Sequence, residues 1–490
     1  MENPKLKKLS EEWLIEATIE QMQEKMESGE LTSKELVLMY LNRIAKLDQN
    51  GPKLKSILEV NPEALHIAAA LDAERKDQGS RGPLHGIPVL IKDNIDTNDK
   101  MHTSAGSLAL ENSFALADSF VASQLRNAGA VILGKTNMTE WANFMAEKMP
   151  SGYSSRGGQT LNPYGPGVFD VGGSSAGSGA AIAANFAAVA VGTETSGSIL
   201  SPASQNSLVG IKPTVGLISR RGIIPIAHTQ DTAGPMARTV KDAALLLNAL
   251  TGTDGKDPVT LTNTELKNTD FTSYLDVEGL KGKRIGIARE VFFDYLTDEK
   301  REVMEAAVQK LTELGAVVVE NVIIPSVKRK WSYDVLTYEF KSDLNSYLQG
   351  LHPNYPIRSL KEVIKYNLEN EEKMLKYGQA VLLEAEETSG SLTEEAYIKS
   401  LEADQYYSTE QGIDYVLKEN QLDAVVFPNN YGAGIPAKAG YPSITVPTGY
   451  TTAGEPVGIT FTGTAYSEPQ LLSLAYSYEQ GTKARKAPLL

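Results

Sequence analysis

The sequence predicts an α/β protein built as a single large domain, with a central mixed, largely parallel twisted sheet covered by helices on both faces. Two observations carry this. A helix-to-strand pattern occurs twice: a helix from about Asp118 closes at Gly129 before Ala130-Val131-Ile132-Leu133, and a second from about Asp298 closes at Gly315 before Ala316-Val317-Val318-Val319. A glycine just past the last turn caps a helix, and the β-branched run behind it suits a strand buried on both faces, so each pattern is one unit of a helix-covered sheet. No low-complexity linker divides the 490 residues, although length alone would allow about three domains.

The elements follow in chain order. Thr32-Ser33-Lys34-Glu35 is a capping box, in which a hydroxyl and a carboxylate satisfy open N–H groups. Leu36, Val37, Tyr40, Leu41, Ile44 and Leu47 then share one helical face. Asn61-Pro62-Glu63 opens another helix, with proline tolerated in the first turn. Arg284-Ile285-Gly286-Ile287-Ala288 reads as the strand before the second helix-to-strand unit, and Asp423 to Pro428 and Ser443 to Pro447 read as later strands. Residues 328–421 differ. They are charged, Tyr-rich and helix-patterned with little strand signal, which fits either a helical layer or lid over the sheet or a solvated outer face.

Composition narrows the function. There is no cysteine, which excludes a cysteine nucleophile, disulfides and thiolate metal sites. The five histidines, His66, His85, His102, His228 and His352, form no close pair, so a zinc-hydrolase motif is absent and no metal is expected. A formal charge of −14 opposes a general nucleic-acid surface, because phosphate contacts need clustered Lys and Arg. The first twenty residues alternate charged and apolar groups and show no signal peptide. Val171 to Thr193 is uncharged, yet its Gly, Ser and Ala content suits a close-packed core helix better than a membrane span. The expectation is a cytoplasmic protein without membrane partners.

The chemistry concentrates in Gly172 to Ser198. Gly172-Gly173-Ser174-Ser175-Ala176-Gly177-Ser178 and Gly192-Thr193-Glu194-Thr195-Ser196-Gly197-Ser198 flank a small apolar segment. Glycine lets backbone N–H groups turn toward a ligand, and serine supplies a hydroxyl that attacks a carbonyl once a base takes its proton. Two familiar patterns fail here. Gly129 to Thr136 spells the phosphate-loop pattern G-x-x-x-x-G-K-T, but its Val131, Ile132 and Leu133 belong in a strand, with N–H groups committed to the sheet. Gly173-Ser174-Ser175-Ala176-Gly177 spells the nucleophile elbow G-x-S-x-G, but that fold needs a later acid and histidine, and His228 and His352 are poorly placed for it. The base is sought elsewhere. Lys92 closes the apolar run Pro88-Val89-Leu90-Ile91. Such a residue often marks where a strand meets solvent, but a lysine desolvated there becomes a competent base as its pKa falls from about 10.4 toward 7–8.

Lys92 and the two Gly/Ser clusters, whose Ser174 and Ser198 are separated by 24 positions, together resemble the amidase signature hydrolases. The resemblance continues through Gly134-Lys135-Thr136-Asn137-Met138-Thr139-Glu140, Gly210-Ile211-Lys212-Pro213-Thr214, Asp231-Thr232-Ala233-Gly234-Pro235-Met236-Ala237-Arg238 and, late in the chain, Ala439-Gly440-Tyr441-Pro442. It runs from about Leu31 onward, is densest over about 80–240, and thins over 255–420. It implies the amidase signature fold and a Ser–cis-Ser–Lys triad: Ser198 as nucleophile, Ser174 bridging across a cis Gly173–Ser174 peptide, Lys92 as base, and Ser175 as a supporting hydrogen-bonding partner. It further implies an oxyanion hole from the N–H groups of Thr195, Ser196, Gly197 and Ser198, with no cofactor or metal. The segment around Ser198 departs from the commoner Gly-Thr-Asp-Thr-Gly-Gly-Ser-Ile-Arg: Glu194 replaces Asp, Ser196 replaces Gly and Leu200 replaces Arg. With Gln230 to Met236 this looks most like the peptide-amidase branch, which removes C-terminal carboxamides from peptides. The alternative is the amidase subunit of a glutamyl-tRNA amidotransferase, which works with a partner subunit.

Overall fold

In the computed structural model, which describes residues 1–490, thirteen strands form: β1 (Ile57–Val60), β2 (Pro88–Lys92), β3 (Val131–Thr136), β4 (Tyr153–Ser154), β5 (Gly158–Gln159), β6 (Val189–Glu194), β7 (Val209–Lys212), β8 (Thr232–Ala237), β9 (Arg284–Ile287), β10 (Val317–Val319), β11 (Ala424–Pro428), β12 (Ser443–Tyr450) and β13 (Pro456–Thr462). Eleven of them make one sheet in the order β1-β3-β2-β6-β8-β7-β12-β13-β11-β9-β10, and β4 and β5 pair as a separate small ribbon. Every residue of β2, β3, β6, β8, β11 and β13 is buried. Burial of alternating side chains on both faces requires cover on both, the helix-on-sheet layering that the continuous apolar runs predict.

The parallel character expected from the two helix-to-strand units holds within two blocks. β2 runs parallel to β3 and β6, and β9 runs parallel to β10 and β11. Between and beside these blocks the pairing is antiparallel, through β6–β8, β7–β8, β12–β7, β12–β13 and β11–β13, with β1 antiparallel to β3 at the other edge. For β12 and β13 the reason is connection length. β12 and β13 are joined only by residues 451–455, too short for the crossover a parallel neighbour needs.

Local chemistry sets the helix ends. Thr32 Oγ1 accepts from the Glu35 N–H at 3.1 Å and Glu35 Oε2 accepts from the Thr32 N–H at 3.0 Å, completing the capping box of the helix Ser33–Leu47. The uncharged stretch 171–193 is a short helix, Ala176–Ala183, followed by β6, rather than the single core helix expected. Asn185 takes a left-handed φ of 59° just past that helix, and the alternating Val189 and Val191 favour a strand thereafter. The helix is buried along its whole length. No helix of the chain is long and apolar enough to cross a membrane.

Residues 328–421 hold helices joined by loops and no strand, with Asp334–Gln349, Leu360–Glu369, Ala380–Glu387 and Glu395–Ser408 as the longer helices. They do not share the main core. The sheet and its covering helices bury one apolar cluster of 82 residues. The helical layer closes a second cluster of 25 with the loops carrying Trp141, Phe144 and Ile224.

Candidate active site

The carboxyl ends of the parallel pair β2 and β6 place the expected chemistry, at the edge where open α/β sheets hold ligands. Lys92 is the last residue of β2, and Thr193 and Glu194 are the last two of β6. The register aligns Val89, Leu90 and Ile91 with Val189, Ala190 and Val191, so Lys92 emerges beside the Gly192–Thr193 step. It is 0% exposed. Its Nζ donates to Ser174 Oγ at 2.8 Å, to Thr193 Oγ1 at 2.8 Å and to the Thr193 carbonyl at 3.2 Å. Desolvation lowers its pKa to about 7; the negative charges of Asp231 and Glu194 oppose the fall without cancelling it.

Ser174, also fully buried, sits just ahead of the Ala176–Ala183 helix, and the Gly173–Ser174 peptide is cis. Ser175 ties this turn to β6: its Oγ donates to the Thr193 carbonyl at 3.0 Å and accepts from the Thr193 N–H at 3.2 Å. Gly192 is required for that contact, because a Cβ there would stand 2.9 Å from Ser175 Oγ. The Ser175 N–H donates to the Ser198 carbonyl at 3.1 Å, which brings the second Gly/Ser cluster alongside the first. Ser198 is the most open of the three expected catalytic residues, at 8% exposed. Its Oγ makes no hydrogen bond to protein, so Lys92 and Ser174 are in contact while the Ser174–Ser198 hydroxyl link is not closed. Such links often tighten only with substrate bound.

The loop 195–198 differs from expectation at one position. The N–H groups of Thr195, Ser196 and Ser198 have no protein acceptor. The Gly197 N–H, the fourth expected oxyanion donor, is already taken by Glu194 Oε1 at 2.6 Å. Glu194 Oε2 accepts from the Ile199 and Leu200 N–H groups at 2.8 and 3.0 Å. Gly197 serves the loop through conformation instead: its φ of 84° is a left-handed value that a side chain would resist. The buried Glu194 thus holds the turn that presents Ser198. Burial raises its pKa, opposed by those N–H donors and by Lys212.

The sequence motifs alone assign no role to several residues here. Thr193 is the second contact of the lysine, and Asn94 Nδ2 donates to the same hydroxyl at 3.0 Å. Asp231 Oδ1 accepts from Thr195 Oγ1 at 2.6 Å, its Oδ2 accepts from the Ile226 and Ala227 N–H groups, and Gln230 Nε2 donates to the Thr195 carbonyl at 3.1 Å. Burial pushes the Asp231 carboxyl up to about 7. A small cavity opens beside Thr193, Thr195 and Asp231 and reaches His228. Gln230 and Asp231 fall inside a matched motif, but only the folded chain shows that they brace the 195 loop.

His228, Glu339 and Asp343 bring their ligand atoms within 4.8 Å of one another. Each is engaged by protein. His228 Nδ1 contacts Asp343 Oδ2 at 2.9 Å, the His228 N–H donates to the same oxygen, and Glu339 accepts from Thr229 and from the Tyr397 hydroxyl. Asp343 raises the His228 pKa. The cluster is an ion-pair clasp between the 226–231 segment and the helical layer. Lys135, the lysine of the phosphate-loop look-alike, donates to the Ile95 and His102 carbonyls and to Thr103 Oγ1 from within β3, which leaves it no free donor for a phosphate.

The chain is similar to known proteins along most of its length. The family model described as Amidase matches residues 35–472. A probable amidase of Arabidopsis thaliana is 43% identical over 486 residues, covering 96% of this chain and 91% of that protein. The crystal structure of native peptide amidase from Stenotrophomonas maltophilia superposes with a TM-score of 0.92 at 46% identity, over 97% of this chain and 98% of that one. A glutamyl-tRNA(Gln) amidotransferase subunit of Methylobacillus flagellatus is 41% identical over 307 residues, 63% of this chain and 60% of that protein. With the family model spanning most of its length and a relative of this identity along nearly all of it, the chain belongs to the amidase family.

Proposed function

We propose that this amidase cleaves a terminal carboxamide C–N bond of peptides through a serine acyl-enzyme. The observation that carries the reading is the buried Lys92 amine, held 2.8 Å from Ser174 Oγ with its pKa lowered to about 7. Neutral Lys92 takes the Ser174 hydroxyl proton as Ser174 takes the proton of Ser198. Ser198 Oγ bonds to the carbonyl carbon, and the oxyanion is met by the unengaged N–H groups of the 195–198 loop. Removing one such donor typically costs about 2.7–4 kcal/mol of barrier. As the C–N bond breaks, Ser174 returns its proton to the leaving ammonia and recovers one from Lys92. Water, activated through the same relay, then attacks the ester and releases the acid. No step calls on a cofactor.

The peptide substrate rests on the likeness to peptide amidase along nearly the whole chain. The match to the amidotransferase protein supports a second reading, glutamine-derived ammonia for a partner subunit, over a shorter stretch. The test is ammonia release from peptide amides and from glutamine by purified wild type, Ser198→Ala and Lys92→Ala. We expect peptide-amide turnover by wild type alone. Near-normal turnover by Ser198→Ala ends the mechanism, and glutamine as the sole substrate favours the second reading.

A further inference from the structure

A cleft opens directly onto the tip of the nucleophile loop. Ser196, the exposed residue of that loop, and Gln230, which braces it, form the inner end. The walls come from three separate stretches: Phe292 and Tyr295 after β9, Trp331 and Tyr333 leading into the helical layer, and Tyr431 and Ile435 after β11. Tyr295 and Tyr333 are 67% and 71% exposed, large aromatic side chains standing in water at the rim. Tyr295 meets Tyr431 edge to face at 6.1 Å. The one cation in the lining, Lys438, is neutralised: its Nζ lies 2.6 Å from Asp404 Oδ2, donates to the Ser332 carbonyl at 3.2 Å and lies over the Trp331 ring.

Uncovered aromatic side chains gathered at one concave surface mark a binding site rather than ordinary surface. For a terminal carboxamide the leaving group is ammonia, so whatever fills this cleft belongs to the acyl side of the bond. We infer that the cleft receives the large apolar or aromatic side chain of the residue bearing the scissile amide, with Trp331 and Tyr431 as specificity-determining residues. The inference rests on the acyl-enzyme reading above for the placement of Ser198. With Lys438 and Asp404 paired, the lining offers no free charge to a charged side chain, and the rings of Trp331 and Tyr431 offer area to Phe, Tyr or Leu.

The experiment measures kcat/KM for two substrate series. One is N-acetyl amino-acid amides of Phe, Leu, Ala and Asp; the other is simple carboxamides, 3-phenylpropanamide against acetamide. Wild type and Trp331→Ala are compared, with Trp331→Phe as the conservative rescue. We expect the large apolar member to exceed the small one by roughly tenfold or more in wild type. The ratio should collapse toward 1 in Trp331→Ala and recover in Trp331→Phe. A wild-type ratio near 1, or a ratio unchanged in folded Trp331→Ala, overturns the inference. The two readings separate: turnover of only the simple carboxamides defeats the peptide substrate, while the ratio within that series still decides the cleft.

Discussion

The core over about 80–240 and the helical layer over 328–421 both line the cleft at Ser196, and they hold their residues in different ways. In the core each candidate catalytic group is set by its immediate chain neighbours: Lys92 by the end of β2, Ser174 by the turn into a fully buried helix, Ser198 by a turn capped on Glu194. All lie at the edge of the 82-residue apolar cluster. The helical layer instead packs through a smaller apolar cluster, which it shares with the core loops carrying Trp141, Phe144 and Ile224, and it adds polar contacts. These are His228 with Asp343 and Glu339, the Tyr347 hydroxyl donating to Asp96, and the Tyr355 hydroxyl donating to the Ala109 carbonyl. The difference teaches that the candidate catalytic groups are set by short-range chain geometry in a close-packed frame, while the helical layer is brought to that frame by apolar and polar contacts between residues far apart in the chain.

The sharpest way to break this contrast is to remove a core group. Ser198→Ala and Lys92→Ala should each lower kcat by about 10³-fold or more, with far-UV circular dichroism unchanged. Glu194→Gln comes next. It replaces a carboxylate accepting three N–H bonds with a neutral amide that accepts fewer, and kcat should fall about 10²-fold as the oxyanion loop loosens. Retention of full activity in that variant would show that the loop holds its shape without the cap.

Thr193→Val sharpens the comparison within the core. It keeps the shape and removes an acceptor 2.8 Å from Lys92 Nζ. An acceptor favours the charged amine, so its loss should move the Lys92 limb of the pH–rate profile below its value near 7. We expect kcat/KM to fall about tenfold; an unmoved limb contradicts the contact. The smallest effect belongs to the layer. The His228 pKa lies above its ordinary 6.5, so the clasp contributes fully below about 6.5 and is lost as pH rises through the folded value. His228→Gln should therefore cost at most about 1 kcal/mol at low pH, since the side chain is partly exposed. Urea titrations should show the deficit shrinking as the solution becomes alkaline.

What can be read from the chain follows the same division. β2, β3 and the Gly/Ser turns are written in contiguous residues, so Lys92, Ser174 and Ser198 stand out as candidates before folding, whereas β6 lies in a stretch whose small apolar residues read as a core helix. The mixed pairing of the sheet is not legible, because nothing local states which distant strands β12 and β13 will join. Gln230 and Asp231 are visible as motif letters, but their grip on Thr195 is a contact across 35 and 36 positions of chain. The role of Gly197 differs from the expected one for a related reason. The glycine is plain in the sequence, but that its N–H is taken by the Glu194 carboxylate shows only in the folded loop. The aromatic cleft is the least legible, since Tyr295, Trp331 and Tyr431 come together from three separate segments.

The central claim, that an uncharged Lys92 draws the proton that frees Ser198, is tested most directly by the pH dependence of Ser198 acylation with a fluorophosphonate, wild type against Lys92→Ala. The account predicts a wild-type rate that rises as pH passes through about 7, and a slow Lys92→Ala rate in which that limb is gone. A Lys92→Ala enzyme that acylates at a comparable rate with the same limb near 7 would contradict it.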